Sequence, residues 1–600
     1  MWHLPLFRSN LQFHSSRDPG HCRLTAEQCA LKTSHWLSWF GADLAYSIPT
    51  VCFFTLGILF FAFARIISEN APESLARTAA WRRTLSALRF LAYKSWRVGR
   101  RNLQPLGVLL IAALCAAFFL AMALGPRPYY WPTDARYGGS PPLAIRSGWL
   151  ALACLPFLFA LAAKANLVSA LTAVPPDRLA LWHGWVAWIM YFLAVAHVVP
   201  FLVLHNAKGD TAEQFRKGST WLTGVIAILA QTWLTLMSIS RIRNRWYEFF
   251  KATHYFFAIT FVVFFFLHCG ARLTSWDYFV VAGVIYLACL LWALAKTFLK
   301  HGTGLKARLR LESPDALRIA INTKSSWRPG DYFYLRFKTC GLHALTTHPF
   351  TVSSLPDTDT GDRELLVYLQ PRAGLTRRLA RLAEKQPDLA VGVLLEGPYG
   401  GLPVRWYAGF DRTLLIAGGS GCGFTLPLIH DWLRRRDPSS TRELSVLLAT
   451  RDPGMPSWYM HELRCLVERE CGTNPTDMSE LSISIYQTGA ATTTESVAPT
   501  PAFAQSDDKE KGLCEPQVRN ETDSVKSLFN INFLRGRPDA AAAVGRLSSL
   551  EPHGTLGIAV CGPAGLVHDA AAAAAEQQRR ILSGQKGASE VWFHKEAFSC

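Results

Sequence analysis

Hydrophobic residues are distributed unevenly along the chain. Seven long apolar segments lie in its first half, at about 47–67, 105–125, 149–174, 182–204, 219–239, 255–270 and 277–297. Each is long enough, or nearly long enough, to cross the hydrocarbon core of a bilayer as an α-helix. Beyond about residue 305, the apolar residues occur in short runs that polar turns separate. The pattern predicts an α-helical transmembrane bundle followed by a soluble module.

The soluble half contains two kinds of pattern. Short strands at about 307–311, 317–321, 332–337, 365–369 and 391–395 predict a small antiparallel β-barrel. From about residue 411, a strand, a glycine-rich turn, a helix and a further strand predict a doubly wound α/β domain. Residues 472–526 are rich in Thr, Ser, Ala, Pro and acidic residues, and except near 481–486 they are interpreted as a disordered insertion. The predicted domains are a tail at 1–46, a transmembrane domain at 47–300, the barrel at 301–405 and the α/β domain at 406–600.

The net charge of +18 reflects basic residues that lie next to the apolar segments. Lys and Arg concentrate in the loops after the first span, before the sixth and after the seventh. Because cytoplasmic loops carry such an excess, we expect the N-terminus outside and the C-terminal half in the cytosol. The charge therefore indicates membrane topology rather than a nucleic-acid partner. The plasma membrane is the expected location, with a vacuolar or other endomembrane as the alternative, and the oligomeric state stays open.

Four histidines lie inside the apolar segments as two pairs with equal spacing, His183 with His197 and His254 with His268. A step of 14 residues rises about 21 Å along a helix and ends on nearly the same face. The expected topology puts His183 and His254 near the cytosol, and His197 and His268 near the outer side. A single histidine in such a helix is more often a packed residue, but two pairs at matching depths predict the axial ligands of two stacked haems.

A glycine-rich turn follows the first strand of the α/β domain. Gly418-Gly-Ser-Gly421 leads from an apolar strand into an apolar helix, an arrangement that lets a backbone approach phosphates. It is not a strict dinucleotide fingerprint. Arg451 ends the next strand, where no acidic residue stands, and this favours NADPH over NADH. A later strand ends in a second turn, Cys561-Gly562-Pro563, whose cysteine is either a core residue or a neighbour of a nicotinamide ring.

Two polar segments of the predicted barrel are further candidates. His348-Pro349-Phe350-Thr351 presents a hydroxyl and backbone amides, although alone it reads only as a polar strand end. Gly374 and Thr376 lie among basic residues at a helix start that suits a pyrophosphate, or that is simply capped. Phe598, near the C-terminus, is either a stray aromatic or a ring that stacks on a flavin.

Together these motifs resemble the fungal-type ferric reductases, which are related to the NADPH oxidases. The resemblance covers roughly residues 150–600 and includes Glu396-Gly-Pro-Tyr-Gly400 besides the motifs above. It implies FAD on the barrel, NADPH on the α/β domain and two haems b in the membrane. The implied contacts are His348, Pro349, Phe350 and Thr351 for the flavin, Gly374 and Thr376 for its pyrophosphate, Gly418, Gly419, Gly421 and Pro427 for NADPH, and Cys561, Gly562, Pro563 and Phe598 around the nicotinamide and flavin rings.

The resemblance implies an NADPH-dependent ferric-chelate reductase that supports iron uptake, with electrons passing through FAD and two haems b to external ferric, or alternatively cupric, chelates. The main alternative is an NADPH oxidase that reduces oxygen to superoxide. The equal spacing in both histidine helices and the additional first span favour the reductase. A haem sensor or scaffold without enzymatic activity is disfavoured by the intact nucleotide motifs. One departure is the C-terminus, Phe598-Ser-Cys600, where the family often has an aromatic residue after the phenylalanine.

Overall fold

The computed structural model describes residues 25–27, 29–30, 38–76, 78–99, 101–131, 140–339, 346–356, 363–372, 374–437, 441–472, 478–489, 530–550 and 553–596. It divides into two compact units. The first comprises residues 1–71 and 109–295, and the second comprises residues 72–108 and 296–600. Most of the predicted tail at 1–46, the residue Phe598, and residues 473–477 and 490–526 of the predicted insertion lie outside the described residues.

Among the described residues up to 301, the regular secondary structure is helical apart from one short hairpin. In chain order the elements are α1 (Ile48–Asn70), α2 (Glu73–Ala76), α3 (Ala79–Tyr93), β1 (Arg97–Val98), β2 (Arg101–Asn102), α4 (Leu106–Leu124), α5 (Pro142–Ala153), α6 (Leu155–Ala162), α7 (Leu167–Thr172), α8 (Pro176–Lys208), α9 (Thr211–Lys217), α10 (Ser219–Met237), α11 (Ser240–Arg245), α12 (Tyr247–Cys269) and α13 (Ser275–Ala295). Single π-helical segments, Asp43–Ser47 and Lys296–His301, precede α1 and follow α13.

The described part of the chain has seven helical segments that are long and apolar enough to cross a membrane, and this confirms the predicted bundle. They are Asp43–Asn70, Leu106–Leu124, Pro142–Ala162, Pro176–Lys208, Ser219–Met237, Tyr247–Cys269 and Ser275–His301. The third span differs from the predicted 149–174. It begins earlier and ends at Ala162, because Asn166 starts a separate short helix by accepting hydrogen bonds from Val168 N (2.7 Å) and Ser169 N (3.2 Å).

The second unit contains the soluble elements. In chain order these are β3 (Lys306–Ser313), β4 (Ala316–Thr323), β5 (Asp331–Phe337), β6 (His348–Thr351), β7 (Arg363–Leu369), α14 (Leu375–Lys385), β8 (Leu389–Gly400), α15 (Val404–Tyr407), β9 (Arg412–Gly418), α16 (Cys422–Arg434), β10 (Glu443–Thr450), α17 (Met455–Cys471), β11 (Leu481–Gln487), β12 (Asn530–Arg535), α18 (Ala540–Ser549), β13 (Thr555–Cys561), α19 (Ala564–Leu582) and β14 (Glu590–Glu596).

Strands β3 to β8 form the predicted antiparallel sheet. Its order is β6-β5-β8-β3-β4-β7, and alternate side chains fill a core that includes Leu309, Ile319 and Phe333. The two edges meet where Ser353 N, just after β6, donates to Leu366 O of β7 (2.7 Å). This bond joins the edge strands and closes the sheet toward a barrel.

Strands β9 to β14 form a parallel sheet in the order β12-β11-β10-β9-β13-β14. Helices connect several of its strands, as the doubly wound prediction requires. The predicted limits of the insertion need correction, because Leu481–Gln487 pairs with both β10 and β12 inside the sheet. Strand β12 itself was not predicted.

A segment of the first half of the chain belongs to the soluble unit. Helix α3 and the β1–β2 hairpin pack against α19 and β14 of the α/β domain. Arg97 pairs with Asp569 (3.1 Å), and the Arg89 guanidinium lies over the Trp592 ring. The connection between the first and second spans is therefore part of the second unit rather than an isolated loop.

Candidate functional site

The four predicted histidines meet as two facing pairs in the membrane unit. His183 and His254 have ring centroids 6.3 Å apart, and His197 and His268 have ring centroids 5.8 Å apart. The structure therefore pairs the same histidines that were expected to lie at equal depth in the membrane. Each pair contains one histidine from α8 and one from α12.

Three of the four imidazoles are held by a backbone carbonyl of a neighbouring helix. The Nδ1 atoms of His183, His197 and His268 lie 2.9, 2.7 and 2.9 Å from the carbonyl oxygens of Leu158, Ala144 and Thr220. A carbonyl only accepts, so each of these Nδ1 atoms carries the proton and donates it. The lone pair is then on Nε2, which is the tautomer that a metal-ligating histidine needs.

Glycines make room for the His197 and His268 rings. A Cβ on Gly148 would lie 2.7 Å from His197 Nδ1, and a Cβ on Gly224 would lie 2.7 Å from His268 Nδ1. Each glycine stands four residues after the carbonyl that its histidine reaches. The missing side chain therefore opens a helix carbonyl to a second donor. Neither glycine was singled out from the sequence, although glycine inside an apolar helix costs about 1 kcal/mol and so suggests a packing role.

The histidine geometry fits bis-imidazole ligation of haem iron. Imidazole nitrogens bind metals at about 2.0–2.1 Å, so two imidazoles on one metal hold their centroids roughly 6 Å apart. Within the described ranges, no three His, Cys, Asp or Glu residues form a cluster that could hold a metal ion. His254 differs from the others, because its buried Nδ1 has no hydrogen-bond partner among the described residues.

In the soluble unit, the two glycine turns pack directly on each other. A Cβ on Gly418 would lie 2.6 Å from Pro563 Cδ, and a Cβ on Gly421 would lie 2.5 Å from the carbonyl oxygen of Cys561. These turns follow β9 and β13, which are neighbours in the parallel sheet. Ligands of open α/β sheets bind at this carboxyl edge, so five predicted contacts, Gly418, Gly421, Cys561, Gly562 and Pro563, converge where a dinucleotide is expected.

Glu596, a residue that the sequence analysis missed, connects the two nucleotide motifs. Thr351 Oγ1 donates to Glu596 Oε1 (2.7 Å), and Glu596 is the strand partner of Cys561. Burial raises the pKa of the Cys561 thiol, and the negative charge of Glu596 raises it further. Cys561 therefore stays protonated and uncharged at neutral pH beside the expected position of the nicotinamide.

The predicted flavin strand is β6, whose four residues pair with β5. Phe350 packs on the barrel core, so strand alternation directs Pro349 and Thr351 to the opposite face. A flavin on the face of Pro349 and Thr351 can therefore meet the backbone of Phe350 but not its side chain. Gly374, with φ +60°, turns the chain into α14, and Thr376 Oγ1 accepts a hydrogen bond from Arg372 N (3.1 Å).

Arg451 is exposed just beyond the end of β10. The adjacent Asp452 is engaged elsewhere, because its two carboxylate oxygens accept from Ser313 Oγ (2.5 Å) and Gly454 N (2.9 Å). Arg451 thus presents an exposed cation at this strand end, where the sequence predicts a phosphate contact. Pro427 departs from the expectation, since it is buried inside helix α16 rather than in the glycine turn. Its ring packs in the core, while Gly419, with φ +58°, belongs to the turn itself.

Three family sequence models match successive parts of the chain. Residues 147–265 match "Ferric reductase like transmembrane component", residues 303–402 match "FAD-binding domain", and residues 410–575 match "Ferric reductase NAD binding domain". The chain belongs to the ferric reductase family. The matched ranges contain three of the four facing histidines, all but His268, and both glycine turns.

The chain is similar to named fungal members of the family. It is 30% identical over 425 residues to "Probable cell surface ferric reductase kap2" of Aspergillus oryzae, covering 66% of this chain and 56% of the relative. It is 27% identical over 335 residues to "Ferric/cupric reductase transmembrane component 7" of Saccharomyces cerevisiae, covering 54% and 52%. The chain therefore matches just over half the length of these relatives.

Solved structures give a weaker likeness. A ferredoxin NADP⁺ reductase from Neisseria gonorrhoeae with bound FAD and NADP is 13% identical, with a TM-score of 0.31, and the match covers 48% of this chain and 97% of that one. A flavohemoglobin from Malassezia yamatoensis with bound FAD and haem is also 13% identical, with a TM-score of 0.31, over 75% and 97%. At these scores, the assignment rests on the sequence matches and the geometry.

Proposed function

We propose that this chain is an NADPH-dependent reductase that carries electrons across a membrane to ferric chelates. The observation that carries the proposal is the pair of facing imidazole sets, three of whose members are anchored through Nδ1, which leaves the lone pair of the neutral ring on Nε2. Facing imidazoles at centroid separations of 6.3 and 5.8 Å, with lone pairs on Nε2, are what ligation of one metal ion by two histidines requires. Two such sets along the same helices supply two successive positions for haem b.

The proposed reaction balances as NADPH and two ferric ions giving NADP⁺, a proton and two ferrous ions. When bound, NADPH supplies a hydride donor, FAD a carrier that converts paired to single electrons, and the two haems one-electron relays across the bilayer. The chain's own residues bind these groups, orient them and keep water away. Cupric chelates are a second acceptor of the same chemistry.

The residues of the soluble unit have distinct tasks in this proposal. Gly418 and Gly421 let the backbone approach the NADPH pyrophosphate, and Arg451 binds the 2′-phosphate that distinguishes NADPH from NADH. Cys561 and Glu596 would flank the nicotinamide, with Thr351 on the flavin side. The hydrogen bond between Thr351 and Glu596 supports this placement, because it holds the flavin strand against the end of β14.

The proposed orientation puts the N-terminus outside and the soluble unit in the cytosol. The basic loops after α1 and before α12 support it, since such residues are retained on the cytoplasmic side. The plasma membrane is the proposed location, supported by the similarity to the probable cell surface ferric reductase of Aspergillus oryzae. His197 and His268 then form the outer pair, and His183 and His254 the inner pair.

Ferrous ion production with NADPH separates the proposed reductase from an NADPH oxidase. Membranes that contain the full chain are supplied with NADPH and ferric citrate, and ferrous ion is trapped by a chromogenic chelator, with and without oxygen and superoxide dismutase. The proposal predicts ferrous formation that persists without oxygen and is insensitive to the dismutase. Ferrous formation that needs oxygen and is suppressed by the dismutase would instead identify superoxide as the product.

A further inference from the structure

Helix α8 carries an aromatic stripe beyond His197. Phe201 and His205 follow at successive steps of four residues, so all three side chains lie on one face of the helix. The ring centroids of His197 and Phe201 are 5.3 Å apart, and those of Phe201 and His205 are 6.5 Å apart. Eight residues span about 12 Å, so the stripe runs from the His197–His268 pair to the end of the helix.

His205 is fixed at this end by a carboxylate. The helix stops at Gly209, whose φ of +70° turns the chain back. Asp210 then accepts from His205 Nδ1 through Oδ1 (2.8 Å) and from Gln214 Nε2 through Oδ2 (3.0 Å). Trp221 places its ring edge-on to the imidazole, with centroids 5.1 Å apart.

This arrangement leaves Nε2 of His205 as the free ligand atom. Nδ1 is committed to Asp210, so in the neutral ring the lone pair is on Nε2. The His205 side chain is 12% exposed and that of Asp210 is 27% exposed, so the pair is mostly covered but still reached by solvent. A carboxylate that orients an imidazole from behind is the usual support of a histidine metal ligand.

We propose that His205 is a transient ligand for the metal ion that accepts the electron, and that it favours ions with an exchangeable coordination position. This inference rests on the proposed function and names its acceptor site. The metal ion gains one electron there, from cupric to cuprous or from ferric to ferrous, and NADPH is the ultimate donor. No proton needs to move at His205.

The chemistry of the imidazole ligand indicates which acceptors benefit. Divalent first-row metals bind nitrogen ligands most tightly when the metal is Cu²⁺, so cupric ion should depend on His205 more than ferric citrate does. In the part of the chain that the structure describes, no third His, Cys, Asp or Glu joins His205 and Asp210. A single imidazole binds weakly, and weak binding suits an acceptor that must leave once it is reduced.

The test compares three acceptors with the full-length variant His205→Ala in lipid nanodiscs. Cupric sulfate and ferric citrate have exchangeable positions, whereas ferricyanide has none, because six cyanides fill its coordination sphere. We expect the KM for Cu²⁺ to rise at least tenfold, that for ferric citrate to rise several-fold, and ferricyanide reduction to stay within twofold. Asn206→Ala, which alters an exposed neighbour outside the stripe, is the matched control and should change none of them.

A spectroscopic readout separates a ligand from a helix cap. Cu²⁺ added to the oxidised protein should give an electron paramagnetic resonance signal with nitrogen hyperfine structure that His205→Ala removes and Asp210→Asn weakens. Equal losses for all three acceptors, a changed haem spectrum, or an unchanged copper signal would each overturn the inference. If NADPH does not reduce the haems of the unaltered protein, the proposed function itself fails. If it reduces them equally in His205→Ala but the KM for Cu²⁺ is unchanged, only this inference fails.

Discussion

The substitution Gly224→Ala tests how the His268 ring is held. The added Cβ would lie 2.7 Å from His268 Nδ1 and 2.8 Å from Cε1, where ordinary contact begins at 3.4 Å. The ring must therefore shift by about 0.7 Å or tilt, because atoms packed at normal density do not tolerate that overlap. The shift acts directly on the hydrogen bond between Nδ1 and Thr220 O, which is 2.9 Å long.

The expected cost can be bounded from these contacts. Overpacking costs about 1–3 kcal/mol, and a weakened hydrogen bond costs roughly 1 kcal/mol. The better helix propensity of alanine returns about 1 kcal/mol. A net loss of about 1–3 kcal/mol, concentrated on a ring that faces His197, corresponds to roughly 5–150-fold weaker ligation at this pair.

The assay is haem retention in purified full-length protein. The haem-to-protein ratio and the rate of haem transfer to excess apomyoglobin are measured for Gly224→Ala and Gly148→Ala, which crowd the two members of one pair. Both should lose one haem per chain faster than the unaltered protein and keep the other. Gly184→Ala is the matched control, since nothing lies within 4 Å of its added Cβ. Unchanged retention and spectra in both crowded variants would refute the cradle.

Three further changes test the soluble unit. Gly421→Ala forces a Cβ to 2.5 Å from the Cys561 carbonyl oxygen. The KM for NADPH should therefore rise at least tenfold, and the melting temperature should fall because overpacking destabilises the fold by about 1–3 kcal/mol. A variant with unchanged KM and melting temperature would argue against the packed turns. Arg451→Ala should lower kcat/KM for NADPH about 10–100-fold while leaving NADH unaffected, as expected for one charge-assisted phosphate contact; equal losses for both cofactors would exclude a 2′-phosphate role. Glu590→Gln removes the partner of Arg405 (2.8 Å). Burial alone would raise the pKa of Glu590, but the hydrogen bond and charge of Arg405, with smaller contributions from its other partners, lower it. The stabilisation is therefore complete above the ordinary pKa of about 4.3 and is lost as the pH falls through the lower folded value. The difference in melting temperature between variant and parent should be largest at pH 7 and should shrink progressively as the pH is lowered below about 4.3. A difference that stays constant with pH would contradict the ion pair.

Features that repeat over short stretches could be predicted from the sequence. The apolar spans, the alternating barrel strands and the equal spacing of the four histidines follow from helix and strand periods that each segment carries by itself. The pairing of His183 with His254 also followed, because loop charge fixed the relative depth of the spans. These regularities were sufficient for the fold class and for the facing histidine pairs.

Contacts between distant parts of the chain could not be predicted. Thr351 and Glu596 are 245 positions apart, and the sequence around each residue does not indicate the contact between them. The same holds for Gly148, whose role appears only when His197 is packed against it. Strand β11 was partly absorbed into the predicted insertion, because alternating Ser and Ile within a polar stretch gives a weak signal that tertiary pairing overrides.

Helix interiors also misled the motif interpretation. Pro427 stands in the expected nucleotide motif but lies buried in the interior of α16, where the pattern of glycines before it gave no indication that the helix had already begun. The third span was placed too late, since the apolar run continues through Leu167–Thr172 although the helix ends at Ala162. Composition could not reveal the break that Asn166 introduces as a helix cap.

The most direct test of the central claim is NADPH-driven haem reduction in the four single histidine variants, followed by optical spectroscopy without oxygen. The unaltered protein should hold two haems that NADPH reduces and ferric citrate reoxidises. Changing His197 or His268 to Ala should remove one haem, leave the other reducible by NADPH, and abolish ferrous formation. Changing His183 or His254 should prevent NADPH from reducing the remaining haem. Ferrous formation at the unaltered rate in His197→Ala or His268→Ala would contradict the account.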